Sequence, residues 1–281
     1  MLVTLKDVLQ KAKKEHYAVG LFNAVNMEMT NAVMAAAEAL RSPVIMGTAE
    51  VLLSAADLAE TAAMIKARAE KSLIPVVLHF DHGLTYEKCV EAIRLGYTSI
   101  MVDRSMLSYE ENVREVAELV KIAHTCGVSV EGELGHVGDN AGSGKLEKPS
   151  DYYTDPAAAA DFVARTGVDA LAVAVGNAHG DYAFPPKLDF DRITQIASAT
   201  DTPLVLHGGS GLADDDFRKA IARGVAKVNI FTDISKAQVN GMKAGIAAGV
   251  NNAFDLTAYE VDAVRAVVEE KMRLFSSEGK A

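Results

Sequence analysis

The sequence predicts an α/β fold, a (β/α)8 barrel with a helical C-terminal extension, because eight short apolar runs alternate with helical patterns. Several runs lack polar alternation, which is typical of parallel strands covered on both faces. A length of 281 residues suits such a barrel, which usually needs about 250 residues, although length alone also allows two domains. No linker rich in Pro, Ser or Gly divides the chain in the middle. We therefore expect one TIM-barrel domain over residues 1–281.

The eight strands are predicted from β-branched and apolar runs, and their alternation with helices implies parallel pairing through helical crossovers. In chain order the runs are Tyr17–Phe22, Pro43–Met46, Pro75–Phe80, Ser99–Asp103, Val128–Glu133, Ala170–Val175, Pro203–His207 and Lys227–Phe231.

The helices are predicted from apolar spacing together with start and stop signals. Asp155 caps a helix that has Pro156 at its first position, and Ser108 precedes an acidic first turn. A glycine ends a helix before a strand at positions 96, 127, 167 and 224. The helical segments are Thr30–Arg41, Leu58–Glu70, Tyr86–Leu95, Tyr109–Thr125, Pro156–Thr166, Phe190–Ala199 and Asp214–Arg223.

Two segments lie outside this alternation. Thr232–Ala281 reads as a helical tail, with a periodic run at Val261–Phe275, that packs either outside the barrel or against a partner subunit. Gly135–Asp151, after the fifth strand, is too long for a simple connection. It is interpreted as a lid over the face where barrel active sites lie, with a passive surface loop as the alternative.

Composition excludes several classes of protein. The 28 Lys and Arg against 38 Asp and Glu give a net charge of −10, whereas nucleic-acid binding needs clustered basic residues. A phosphorylated small molecule remains allowed, because backbone N–H groups hold phosphate without net basic charge. The N-terminal segment lacks the continuous apolar core expected of a secretory leader, and no apolar run approaches the roughly 20 residues of a membrane span. We expect a cytoplasmic protein with no membrane or nucleic-acid partner, and with Cys89 and Cys126 packed in its interior.

Three histidines follow strand ends. His82 comes after the third strand, His179 after the sixth and His207 at the end of the seventh. Closure of a barrel places these ends on one face, and three imidazoles with an open position form a catalytic rather than a structural zinc site. The alternative is that each histidine is a separate hydrogen-bonded residue of the barrel, but this explains less well why all three lie at strand ends. His16 and His124 read as surface or structural residues, His79 as a core residue, and His136 stays undecided.

Carboxylates are expected around the same site. Asp81 precedes His82 and is placed either for proton transfer to a substrate oxygen or for orienting a histidine. Glu131 and Glu133 point to one side of the fifth strand, because side chains alternate with period two. Buried acids need a cation or a partner, so Glu133 and Asp103 are candidate alternative ligands or groups that orient the ligands.

The last two strand ends predict a phosphate site. Gly208 and Ser210 lie in a glycine-rich turn after the seventh strand, and Asn229 and Thr232 lie at the end of the eighth. Loops at these positions form the recurrent phosphate-binding corner of the barrel. Metal and phosphate together suggest a phosphorylated carbonyl substrate and either carbon–carbon cleavage or proton transfer. The rival functions are a metal-dependent sugar-phosphate epimerase or isomerase and a non-catalytic sugar-phosphate-binding paralogue.

From about Lys6 to Thr232 the chain resembles the class II, metal-dependent ketose-bisphosphate aldolases that act on fructose or tagatose bisphosphate. The resemblance implies that His82, His179 and His207 bind zinc and that Asp81 is the acid/base group. It also implies Asn23 near the carbonyl of dihydroxyacetone phosphate, a monovalent cation (Na⁺ or K⁺), and a homodimer or homotetramer. The phosphate-bearing product would be held by Gly180, Gly208, Ser210, Asn229 and Thr232. The motifs that carry the resemblance are Phe22-Asn-Ala-Val-Asn26, His79-Phe-Asp-His-Gly83, Val130-Glu-Gly-Glu-Leu-Gly135, Asp169–Gly180, Leu206-His-Gly-Gly-Ser-Gly211 and Lys227-Val-Asn-Ile-Phe-Thr232.

Three departures from the family pattern leave the aldehyde product open. The loop after Gly135 lacks the usual acidic pair, so that Asp139 or Glu147 is only a candidate for moving the donor's proton. Phe231 stands where fructose-type enzymes have an acid. The segment Leu256–Asp262 lacks the arginine that the family uses for the second phosphate.

Overall fold

The computed structural model describes residues 1–139, 152–179 and 187–281. Eight parallel strands form a closed barrel in the order β1-β10-β9-β7-β5-β4-β3-β2, which confirms the predicted (β/α)8 fold. Each predicted strand run overlaps one of these barrel strands, although several of the strands extend past the predicted ends. Two further strands of two residues each, β6 and β8, pair with one another above the barrel.

The elements alternate as the sequence predicts. The barrel strands are β1 Val19–Asn23, β2 Val44–Ala49, β3 Val76–Gly83, β4 Ser99–Val102, β5 Ser129–Leu134, β7 Ala170–Val173, β9 Leu204–Leu206 and β10 Val225–Ile230; β6 is Gly138–Asp139 and β8 is Ala178–His179. The helices are α1 Leu5–Glu15, α2 Met27–Leu40, α3 Leu58–Ala69, α4 Tyr86–Arg94, α5 Tyr109–Thr125, α6 Pro156–Thr166, α7 Phe190–Ala199, α8 Asp214–Ile221, α9 Thr232–Ala247 and α10 Ala253–Leu274.

The interior of the barrel contains an apolar layer below a polar layer. Side chains alternate along each strand, so that Val77, His79 and Asp81 of β3 all point inward at rising height. Helix α1 closes the lower end by packing Leu5 and Leu9 against the apolar layer. The apolar layer comprises Leu21, Ile45, Val77, Met101, Ala170, Ala172 and Val205, and the polar layer comprises Asn23, His79, Asp81, Glu131, Glu133, His207 and Asn229, all of them buried.

The helical tail packs on the outside of the barrel. Helix α10 lies against α9 and α2 and buries Val264, Val268 and Met272. The chain end is tied to the barrel by a hydrogen bond from Ala18 N to Phe275 O of 3.0 Å. Of the two placements open to the tail, the structure therefore shows packing on its own barrel. Among the helices of the described residues, none has the length and apolarity needed to cross a membrane.

Two local expectations are corrected. Helix α2 begins at Met27, three residues before the predicted start, because the Asn26 side chain accepts a hydrogen bond from Met29 N and caps the helix there. Cys89 is buried as expected, but Cys126 is exposed. Cys126 follows the last buried residue of α5, Ala123, and lies at the C-cap beyond the covered face of that helix.

Candidate metal centre and active site

Three histidines from separate strand ends meet above the barrel. His82 lies near the end of β3, His179 in β8 and His207 directly after β9. One ring nitrogen of each lies within 4.8 Å of one ring nitrogen of the other two. The ring centroids are 4.5 Å apart for His82 and His207 and 4.8 Å apart for His82 and His179. The structure thus brings together the three residues that the sequence singles out.

Two of these rings are oriented by carboxylates from behind. Asp103 Oδ2 lies 2.8 Å from His82 Nδ1, and Glu131 Oε1 lies 2.8 Å from His207 Nε2. If each carboxylate accepts an N–H, the remaining nitrogens, His82 Nε2 and His207 Nδ1, face one another at 2.8 Å. Two lone pairs at that distance repel unless a cation lies between them. The donor set and its orientation therefore fit a zinc ion with three imidazole ligands.

The protonation of the histidines supports the same interpretation. Burial lowers the pKa of His179 to about 3, and the charges of its two neighbours act in the same direction. Burial also lowers the pKa of His207. Burial opposes a charge on His82 too, but the carboxylates of Asp81 and Asp103 outweigh it and raise its pKa to about 10. A proton on His82 supplies the positive charge that these carboxylates require, and a divalent cation at the same nitrogens would replace it.

Asp81 lies beside the histidines and is held by two amides. Asn23 Nδ2 donates to Asp81 Oδ2 at 2.8 Å, and Asn229 Nδ2 donates to Asp81 Oδ1 at 3.0 Å. Burial alone would raise the pKa of Asp81, but the positive charges of His82 and Lys227 hold that pKa well below its usual range. Asp81 is therefore ionised and fixed in orientation at neutral pH.

Asp103 and Glu133 form a second possible ligand group with His82, within the same limit of 4.8 Å. Asp103 Oδ1 accepts hydrogen bonds from the backbone and the hydroxyl of Ser105, at 3.1 and 2.8 Å. Glu133 Oε1 accepts from Val137 N at 3.1 Å, whereas its other oxygen is buried without a hydrogen-bond partner. Burial and the nearby charge of Asp103 raise the pKa of Glu133 to about 8. An orphaned buried oxygen of this kind is consistent with a cation ligand.

At the predicted phosphate corner, a glycine-rich turn lies beside the start of a helix. Gly208 has a φ of 63° and packs directly against the backbone of Ala178, next to His179. Thr232 is the first residue of α9, whose N-terminus is held to the loop after β9 by a hydrogen bond from Asp233 N to Ser210 Oγ of 3.3 Å. A helix N-terminus beside a glycine-rich turn presents backbone N–H groups to an anion.

A cavity of about 1110 Å³ opens over these residues. His207 and Glu133 lie beneath its floor rather than on its surface. Gly180, residues 140–151 of the proposed lid and its candidate acid Glu147 lie outside the described residues. The predicted site residues that line the cavity are Asn23, Asp81, His82, Asp103, His179, Gly208, Ser210, Asn229 and Thr232.

Sequence reasoning missed two residues of this region. Asn177 donates to His207 O at 3.0 Å and accepts from Val175 N at 2.8 Å, which joins the loop bearing His179 to the strand end bearing His207. A polar residue in the glycine-containing segment before His179 was the available signal. Lys227 is fully buried and lies 2.8 Å from Glu131 Oε2.

A family model for class II fructose-bisphosphate aldolase matches residues 3–280. The chain belongs to this family. A fructose-bisphosphate aldolase of Geobacillus stearothermophilus is 41% identical to this class II aldolase over 290 residues, which cover 100% of this chain and 99% of the relative. A fructose-bisphosphate aldolase of Thermus caldophilus is 38% identical over 307 residues, covering 100% of both chains.

The same similarity holds for the three-dimensional structure. The X-ray crystal structure of the YdjI aldolase from Escherichia coli K12 superposes with a TM-score of 0.91 at 37% sequence identity, covering 100% of both chains. This class II aldolase is thus an aldehyde-lyase that acts on a small sugar phosphate. The isomerase and the non-catalytic interpretations are set aside by that membership.

Proposed function

We propose that this chain, acting as one domain, is a zinc-dependent aldolase that reversibly cleaves a ketose phosphate into dihydroxyacetone phosphate and an aldehyde. The observation that carries the proposal is a buried carboxylate, Asp81, fixed by two amides beside three converging imidazoles. The general dependence of the family on zinc supports the choice of metal. His82, His179 and His207 would hold the ion. When bound, zinc acts as a Lewis acid that polarises the ketose carbonyl.

Asp81 takes the proton from the C4 hydroxyl during cleavage and returns it to the aldehyde oxygen in the reverse direction. The role needs an ionised group of fixed orientation, and the charges of His82 and Lys227 keep the carboxylate ionised. The amides of Asn23 and Asn229 hold its two oxygens, so that the proton acceptor is aligned before substrate binds. Asn23 also borders the cavity, where it can contact the donor carbonyl.

The phosphate of dihydroxyacetone phosphate is placed at the corner formed by Gly208, Ser210 and Thr232, with Gly180 as a further contact from the family resemblance. Backbone N–H groups at the start of α9 suit an anion there. The aldehyde would occupy the rest of the cavity, toward Val51, Leu84 and Met106.

Three further attributes are proposed on the likeness to the family. The active form is a homodimer or homotetramer, a monovalent cation (Na⁺ or K⁺) binds near the phosphate, and the enzyme works in the cytoplasm. Sedimentation of the purified protein measures the first, and the rate in K⁺, Na⁺ or tetramethylammonium salts measures the second.

The test is a coupled assay for release of dihydroxyacetone phosphate from a panel of ketose mono- and bisphosphates, with and without a chelator. We expect cleavage of at least one substrate, loss of activity on complete zinc removal, and recovery on adding zinc. Asp81→Asn should retain zinc and lose at least about 100-fold in kcat, because a general base contributes 10²–10⁴-fold. The matched control Asp262→Asn removes an exposed carboxylate on α10 and should leave kcat unchanged.

Two results contradict the proposal. Cleavage that persists at full rate without zinc removes the metal from the mechanism. Retention of both zinc and rate in His82→Ala means that the ligand assignment is wrong.

A further inference from the structure

Lys227 carries a charge into the interior of the barrel. Its backbone on β10 is in register with Val205 of the apolar layer, and its side chain is fully buried. The ammonium reaches into the polar layer and lies 2.8 Å from Glu131 Oε2. Glu131 is also fully buried. The approach is an ion contact rather than a directed hydrogen bond.

Stability alone does not account for this ion pair. Taking two ions out of water costs several kcal/mol for each, and apolar residues of similar volume are usually as stable or more stable in their place. The neighbouring inward position, Val205, shows that the barrel takes an aliphatic side chain at this height. A lysine here therefore points to a role in the polar layer above it.

The ion pair continues to the candidate metal site. Glu131 Oε1 lies 2.8 Å from His207 Nε2, while its Oε2 faces Lys227. The other ring nitrogen of His207, Nδ1, lies 2.8 Å from His82 Nε2, where the three imidazoles meet. Lysine, glutamate and histidine thus form one chain of contacts that ends at a candidate ligand atom.

We propose that Lys227 is a positioning residue for the metal site: its ammonium fixes the carboxylate of Glu131, and that carboxylate takes the Nε2–H of His207, so that Nδ1 presents its lone pair to the metal. The inference rests on the proposed zinc-dependent function. Apart from the ammonium, Glu131 Oε2 has a contact with His79 Nε2 at 3.8 Å, which is beyond hydrogen-bond distance. Without the ammonium the carboxylate is free to rotate, and His207 loses its fixed tautomer and ring angle.

The test measures zinc binding without substrate. Lys227→Met keeps the length and volume of the side chain and removes its charge. In zinc-free protein, competition with a chromophoric chelator should show zinc bound about 10–100-fold more weakly than in the wild type, the range expected when a group that orients a ligand is lost. Long-range ¹H–¹⁵N spectra of histidine-labelled apoprotein should show His207 protonated at Nε2 in the wild type and a mixture of tautomers in the variant.

Lys271→Met is the matched control. Lys271 is also a largely buried lysine paired with an acid, at 3.2 Å from Asp233 Oδ2, but it lies on α10 outside the barrel. The zinc affinity and the His207 spectrum of the Lys271→Met variant should match those of the wild type. A loss of affinity equal to that of Lys227→Met would mean that buried ion pairs act on the site only through general stability, and would overturn the proposal.

A charge-neutral double variant covers the case in which Lys227→Met fails to fold. Glu131→Gln/Lys227→Met leaves no unpaired ion and still offers an amide oxygen to His207, but without a fixed carboxylate; zinc affinity should fall at least 10-fold. Wild-type zinc affinity and an unchanged histidine spectrum in either folded variant overturn this inference alone. Absence of zinc binding by the wild-type chain overturns the proposed function instead.

Discussion

Gly208 is a position where one added methyl group tests how the proposed phosphate corner is joined to the candidate metal site. Its φ of 63° is in the left-handed region, where an alanine costs about 1–2 kcal/mol. A Cβ would also lie 1.9 Å from Ala178 O and 2.5 Å from the carbonyl carbon of Ala178. Contacts under 3.0 Å are essentially never seen, so the two backbones must separate by about 1 Å. Because Ala178 precedes His179 in β8, the displacement reaches a candidate ligand.

Gly208→Ala should therefore lose zinc affinity and at least about 100-fold in kcat/KM, the loss expected for a 1 Å misplacement in an active site. Gly127→Ala is the control, because Gly127 has a φ of 73° but nothing within 4 Å of an added Cβ. It should lose only about 1–2 kcal/mol in the free energy of unfolding by urea, with kcat/KM unchanged. A Gly208→Ala enzyme within threefold of the wild type in kcat/KM and zinc affinity would refute the reasoning.

Two further predictions concern titrating groups. Burial raises the pKa of the Cys89 thiol to about 12, whereas Cys126 is exposed. Iodoacetamide should therefore modify Cys126 alone in the native enzyme and both cysteines after denaturation. Equal labelling rates of the two cysteines in the native state would contradict this prediction. Burial raises the pKa of Glu133 in the folded protein from 4.5 to about 8, so that Glu133 loses its proton at lower pH in the unfolded chain than in the folded one. The free energy of unfolding of the zinc-free protein should therefore fall as the pH rises from about 4.5 to 8. Glu133→Gln should remove this fall in the free energy of unfolding, which is on the order of 4 kcal/mol at pH 8. Urea unfolding of the zinc-free wild type and the zinc-free variant at pH 5 and pH 8 measures the difference. A difference in unfolding free energy between variant and wild type that stays constant with pH would show that Glu133 does not titrate in this range.

Strand order and side-chain alternation account for what could be predicted. Parallel strands in a barrel end on one face, so the positions of His82, His179 and His207 at strand ends were enough to predict that they meet. The period of two in β5 likewise predicted that Glu131 and Glu133 both point inward.

Contacts across the barrel could not be predicted, because they depend on strand register and side-chain rotamers. Strand order does not show that Lys227, two residues before Asn229, reaches Glu131 on a strand that is not its neighbour. Nor does periodicity show how far along α5 the buried face extends, and for that reason the expectation of an interior Cys126 is wrong. The pairing of β6 with β8, which sets Asp139 in register with His179, involves two residues in each strand and leaves no sequence pattern.

Because the barrel interior has an apolar layer and a polar layer, a mutational scan should give different results for the residues of each layer. Substitutions among Leu21, Val77 and Val205 should lower the cellular abundance of the protein, because they remove packing that α1 completes. Substitutions of Asp81 or Asn229 should leave abundance intact or raise it while abolishing growth on a substrate, because buried polar side chains with a proposed role in chemistry are the ones expected to be kept at the expense of stability. A scan read out by both abundance and growth would therefore trace the boundary between the layers residue by residue.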